Sequence, residues 1–137
     1  MKELRLTMKQ HGFRIELPHQ TLDIDGNELF GIRPYELMVS SIAGCSAAVF
    51  RKIIEKQRLE IDDLEVAAEV ERDELAANRI SKITLTFIVR GYHLDRGQLE
   101  KDLELAQKNC SMVQTVKDCM EIEERLDLVH LNHLNHY

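Results

Sequence analysis

The stretch from Arg33 to Phe50 limits what this chain can fold into more than any other. Leu37, Met38, Val39, Ile42, Ala43, Ala47, Ala48, Val49 and Phe50 make it apolar on more than one face, the pattern of a helix surrounded by protein. Pro34 suits a first helical turn, where its missing N–H removes no intrahelical bond. No further proline or turn cluster occurs before Arg58, so the spacing predicts a helix from Pro34 to about Arg58. Ser40, Ser41 and Ser46 interrupt the run, and we read it as too short and too interrupted to span a bilayer. A single cysteine, Cys45, lies at its centre, with Ala43 and Gly44 leaving room beside it.

The rest of the chain has to package that helix. With 137 residues, one domain covering 1–137 is expected, large enough for a core without disulfides or metal. Met1 to Gln10 alternate rather than form an apolar block, so neither signal peptide nor membrane segment is expected and a cytoplasmic location is the default. The net charge of -6, with Lys and Arg dispersed, argues against a nucleic-acid surface, which needs a basic patch to neutralise phosphates. Cys45, Cys110 and Cys119 lack the close paired spacing of a zinc site, and their odd number argues against a disulfide framework. No cofactor is called for, and thiol chemistry is what remains.

Leu4 to Met8 and Phe13 to Leu17 are short alternating segments joined by a turn at Gly12, which reads as a hairpin. Leu22 and Ile24 suggest a third strand or loop. Val66, Ala68 and Val70 alternate with Glu65, Glu69 and Glu71, and Ile83, Leu85, Phe87 and Val89 share one side of the next segment. The short link from Asp73 to Asn78 makes these an antiparallel pair. Asp95 with Gln98 has the spacing of a reciprocal helix cap, followed by Leu99, Leu103, Ala106 and Cys110 at helical intervals. Ser111 with Gln114 repeats the cap pattern and predicts a helix to about Asp118. Met120 to Leu128 then fits a last strand.

Only a thiolate is a competent nucleophile, and free N–H groups or a cation lower a thiol's pKa while apolar burial raises it. If Ser111 caps a helix, Cys110 lies at its positive end. Cys45, inside its own helix, lacks that help and needs a cation, for which Arg14 and Arg33 are the candidates. Cys119 has no activating neighbour, and each cysteine taken alone is compatible with a small buried hydrophobe.

Pro34, Glu36 and Leu37, then Ala43 to Ser46 around Cys45, then an amphipathic helix, then Asn109 to Ser111 around Cys110, together resemble the OsmC/Ohr family of thiol-dependent hydroperoxide reductases. The resemblance runs from about Phe13 to Leu128. It implies an α+β, OsmC-like fold with antiparallel sheets wrapped around long central helices in an intertwined homodimer. It further implies that Cys45 is the peroxidatic thiolate, that Cys110 resolves its sulfenic acid as a disulfide, and that a small thiol or dithiol reduces the pair. The substrate would be a hydroperoxide, organic where the pocket is apolar. Glu36 would accept from the Arg that pairs with the thiolate, either Arg14 or Arg33. Two residues depart from the family pattern: Tyr35 directly follows Pro34, putting Glu36 one place later, and Ser111 stands where a proline is common. Glu36 also suits the first turn of a helix through the dipole alone.

His130, His133 and His136 recur at a spacing of three, but no carboxylate or cysteine completes a ligand set, so no metal is expected. Besides a peroxidase, the same residues fit a non-catalytic redox sensor or a dimer that binds a small apolar ligand.

Overall fold

The computed structural model describes residues 2–132. It contains two three-stranded sheets and three helices, a mixed α+β chain. Two compact units divide it, residues 1–38 and 39–137.

In the first unit β1 (Leu6–Met8), β2 (Phe13–Leu17) and β3 (Gln20–Ile24) form an antiparallel meander. Gly12, at φ 70°, makes the first turn, where the Lys9 N–H donates to its carbonyl at 3.0 Å. A β-carbon there would collide with the Ile24 carbonyl and Asp25, so glycine is required both for its φ and for space. His11 stacks on Phe30 with ring centroids 3.9 Å apart. The Ile32 N–H donates to the Asp23 carbonyl at 2.9 Å and the Asp25 N–H to the Ile32 carbonyl at 3.2 Å, closing the loop that leads to the long helix.

That helix, α1, runs Pro34–Lys56, with the unit boundary between Met38 and Val39. Arg58 follows at φ 58°, the left-handed conformation that commonly ends a helix. In the second unit β4 (Asp63–Asp73), β5 (Arg79–Gly91) and β6 (Glu121–His130) form a sheet in the order β4-β5-β6. Ile83, Leu85, Phe87 and Val89 of β5 are fully buried, with Ile42, Phe50 and Ile54 of α1. Phe50 meets Phe87 edge-on at 5.5 Å between centroids, a contact worth about 0.5–1.5 kcal/mol beyond the buried area. Helices α2 (Arg96–Asn109) and α3 (Ser111–Val116) connect β5 to β6, and Leu99, Leu103, Ala106, Cys110, Val113 and Val116 turn into the same core. The stripe expected from Leu99 to Cys110 is thus the buried one.

Four local expectations need correction. Over its 23 residues α1 is long and apolar enough to cross a bilayer, about 34 Å at 1.5 Å per residue; its buried side against β5 is instead that of a core helix. The sheets are not wholly antiparallel, because β6 runs parallel to β5 from Lys82 opposite Glu121 to Gly91 opposite His130. A parallel partner needs a long crossover, which α2 and α3 supply. Asp95 does cap α2, accepting from the Gln98 N–H at 3.3 Å, but the Gln98 side chain turns to Gln57 and Asp102 instead of reciprocating. Ser111 is the first residue of α3 and Cys110 occupies the cap position.

The β4–β5 hairpin closes with Ala77 and Asn78 at φ 57° and 56°, the Arg79 N–H donating to the Ala76 carbonyl at 3.0 Å. Two successive residues at positive φ fit a type I′ turn, for which Ala is a poor first central residue. Ala77→Gly should therefore stabilise the protein by about 1 kcal/mol, read as a higher urea midpoint with an unchanged slope.

Candidate functional site

In the second unit the sulfur of Cys45 faces the first turn of α3. Its Sγ lies 3.8 Å from the Ser111 hydroxyl oxygen, and the backbone N–H groups of Met112 and Ser111 and the thiol of Cys110 are its hydrogen-bonding neighbours. These N–H groups belong to the set that no helix satisfies from within. The Met112 N–H is the strongest influence and pulls the Cys45 thiol below its ordinary pKa; burial works against it, and Cys110 and Ser111 add to the lowering.

Cys110 is the opposite case. It ends α2 and begins α3 with an extended backbone at φ -83°, ψ 112°, and its residue is fully buried. Burial pushes its thiol up, and the neighbouring Cys45 sulfur pushes further, outweighing the N–H groups of Val113 and Met112. The pair is therefore asymmetric, with Cys45 the stronger acid and Cys110 the weaker. Local sequence favours Cys110 as the stronger acid, and the structure reverses that order. The missed signal is the contact of Cys45 with residues 66 positions away, which no window on α1 contains. All three cysteines are free, and Cys119 is exposed; its carbonyl accepts from Arg79 at 3.1 Å.

Arg14, Arg33 and Glu36 lie in the first unit. Arg14 is committed to Asp23 through two bonds, Nε to Oδ1 at 2.7 Å and Nη2 to Oδ2 at 3.0 Å, and Lys9 joins them at 3.0 Å. These partners hold the Asp23 carboxyl well below the usual range, the Arg14 bond foremost. Arg33 instead sits beside Glu36, Nε to Oε1 3.8 Å, with its guanidinium 5.0 Å from the centre of the Tyr35 ring. The structure thus brings together Cys45 with Cys110 and Arg33 with Glu36, and gives Arg14 a separate partner.

His130 ends β6, while His133 and His136 lie outside the described residues. Among the described residues no three His, Cys, Asp or Glu side chains gather to hold a metal.

Sequence reasoning missed Ser46 and Glu124. The Ser46 hydroxyl, on the residue after Cys45, donates to Glu124 Oε1 at 2.7 Å.

The role of α3 in setting the thiol is open to a direct test. Ser111→Pro removes one N–H and the hydroxyl beside Cys45, leaving the dominant Met112 N–H. Proline suits the first helical position, and Cys110 already has the extended backbone required before it. Iodoacetamide should then alkylate Cys45 about threefold more slowly at neutral pH, with little change in urea stability; an unchanged rate would mean that α3 does not govern this thiol.

Known proteins place this architecture. A family model described as OsmC-like protein matches residues 25–125. Protein YhfA of Escherichia coli K12 is 32% identical over 115 residues, covering 81% of this chain and 84% of its own. A hypothetical protein from Aquifex aeolicus superposes with a TM-score of 0.85 at 21% identity, over 96% of this chain and 98% of that one. An organic hydroperoxide resistance protein from Elizabethkingia anophelis does so with 0.69 at 11% identity, over 96% and 98%. The model match spans most of the chain, and the chain belongs to the OsmC-like protein family.

Proposed function

We propose that the protein is a thiol-dependent hydroperoxide reductase in which Cys45 is peroxidatic and Cys110 resolving. The observation that carries this reading is the asymmetric thiol pair: a Cys45 on α1 acidified by the start of α3, with the buried, less acidic Cys110 as its hydrogen-bonding neighbour. Family membership and a fold like that of an organic hydroperoxide resistance protein support it.

The Cys45 thiolate attacks the distal oxygen of ROOH. The O–O bond breaks, the alkoxide takes a proton and leaves as ROH, and Cys45 becomes a sulfenic acid. Cys110 then attacks that sulfur and water leaves, forming the disulfide. A dithiol returns both cysteines to the thiol state and is itself oxidised to a disulfide. In this scheme each protein thiol has one task, matched to its acidity.

Cys45→Ser should abolish consumption of cumene hydroperoxide. Cys110→Ser should allow one rapid oxidation per chain and leave a sulfenic acid that dimedone labels at Cys45. Oxidation at Cys110 in the Cys45→Ser protein at the wild-type rate would reverse the roles.

We assign the orienting cation to Arg33, with Glu36 as its acceptor, because Arg14 is already spanned by Asp23. Arg33→Ala should slow the first oxidation about tenfold or more, whereas Arg14→Ala should leave its rate near wild type. The reverse pattern, measured by stopped flow, would move the assignment to Arg14.

The working species in this proposal is a homodimer. Gly44 faces open space and Ser41 and Ala48 beside it on α1 are exposed, as are Leu4, Leu6, Met8 and Phe13. A second copy would cover such surfaces. Sedimentation at micromolar concentration should give twice the 15.9 kDa chain mass; a compact single chain would refute it.

A further inference from the structure

Glu124 occupies a place where the sheet calls for an apolar residue. In the parallel register Ile122, Glu124, Leu126 and Leu128 lie opposite Ile83, Leu85, Phe87 and Val89, and all four of those β5 residues are fully buried. Alternation puts Glu124 on the same core-facing side. Its Oε1 accepts from Ser46 at 2.7 Å, and Ser46 is itself fully buried. Its Oε2 is one of two buried side-chain oxygens without a hydrogen-bond partner among the described residues; the other is Asp102 Oδ2.

A serine and a glutamate here cost stability that an alanine and a leucine would not, since both groups leave water and one oxygen is left unmatched. What the pair adds is direction. Contacts between apolar side chains are non-directional and tolerate small changes in the rotation and height of a helix over a sheet, whereas a short hydrogen bond resists both. Ser46 directly follows Cys45, about 100° around α1, so the bond that fixes one residue fixes the heading of the other.

We propose that Glu124 is a positioning residue, which through its hydrogen bond from Ser46 sets the rotation of α1 so that the Cys45 sulfur stays against the Met112 and Ser111 N–H groups. The inference rests on Cys45 being the reactive thiol. Burial also pushes the Glu124 carboxyl up, partly offset by the Ser46 hydroxyl.

The test separates positioning from stability. In the full chain, iodoacetamide alkylation of each cysteine is followed across pH by peptide mass spectrometry, beside urea unfolding. The double variant Ser46→Ala with Glu124→Leu should be at least as stable as wild type, yet alkylate Cys45 about tenfold more slowly at neutral pH. Glu124→Gln keeps an acceptor for Ser46 and should stay within about twofold of wild type. If the double variant does not fold, Ser46→Ala alone carries the measurement, with the same slowing expected. Wild-type alkylation in a folded variant lacking the bond would overturn the proposal, as would equal slowing in Glu124→Gln. The assay uses no peroxide, so absence of peroxidase turnover in wild type would reject the enzymatic function without deciding this one.

Discussion

The packing of α1 across β5 is the contact on which the second unit depends. Phe50 and Phe87 meet edge-on, and Ile42 and Ile54 are buried on the same helix as Ile83, Leu85 and Val89 are on the strand. The strand has apolar side chains at every second position and the helix at intervals of three or four, so each offers a continuous face. Once these faces meet, the middle of α1 lies in the core, and the hydrogen bond from Ser46 to Glu124 is left to refine the heading of its one cysteine. A further tie lies at the C-terminal end of α1, where Gln57 donates to the buried Asp102 of α2 at 2.7 Å and Gln98 donates to the same oxygen at 3.0 Å.

A cysteine in mid-helix cannot be acidified by its own helix, because the N–H groups around it are spent on carbonyls one turn back. The chain solves this with two helices. One carries the sulfur, and the other, only Ser111–Val116 long, brings unspent N–H groups to it. The crossover from β5 to β6 delivers that short helix, and the parallel seating of β6 fixes where it ends. Cys110 is the joint between α2 and α3, and a joint packed into the core is desolvated. The same arrangement therefore lowers one thiol and raises the other, a division suited to attack by one sulfur and resolution by its neighbour.

The first unit is built on different terms. Its meander is short, and Leu6, Met8 and Phe13 stay exposed. Asp23 is fixed on β3 by Arg14 and Lys9, a charge cluster that ties the strands together across their register. The loop after β3 is pinned by backbone bonds between Asp23, Asp25 and Ile32, which set the entry to α1 and the position of Arg33 beside Glu36.

Much of this was legible in the residues themselves. Pro34 and the apolar run after it determined α1; the alternation from Ile83 to Val89 determined β5 and the face it buries; Leu99, Leu103 and Ala106 determined the inner stripe of α2. Backbone periodicity is a local property, and a short window of sequence contains it. Which thiol is acidic was not local. Nearness to the start of α3 favoured Cys110, but the N–H groups meet a sulfur 66 positions away from Ser111, while Cys110 loses by burial what it gains by position. The parallel seating of β6 and the bond from Ser46 to Glu124, across 78 positions, were decided in the same way. A polar residue on an apolar face is recognisable in sequence only as an imperfection of pattern, and the partner that gives it a purpose comes from another element, brought there by the burial of the surfaces around it.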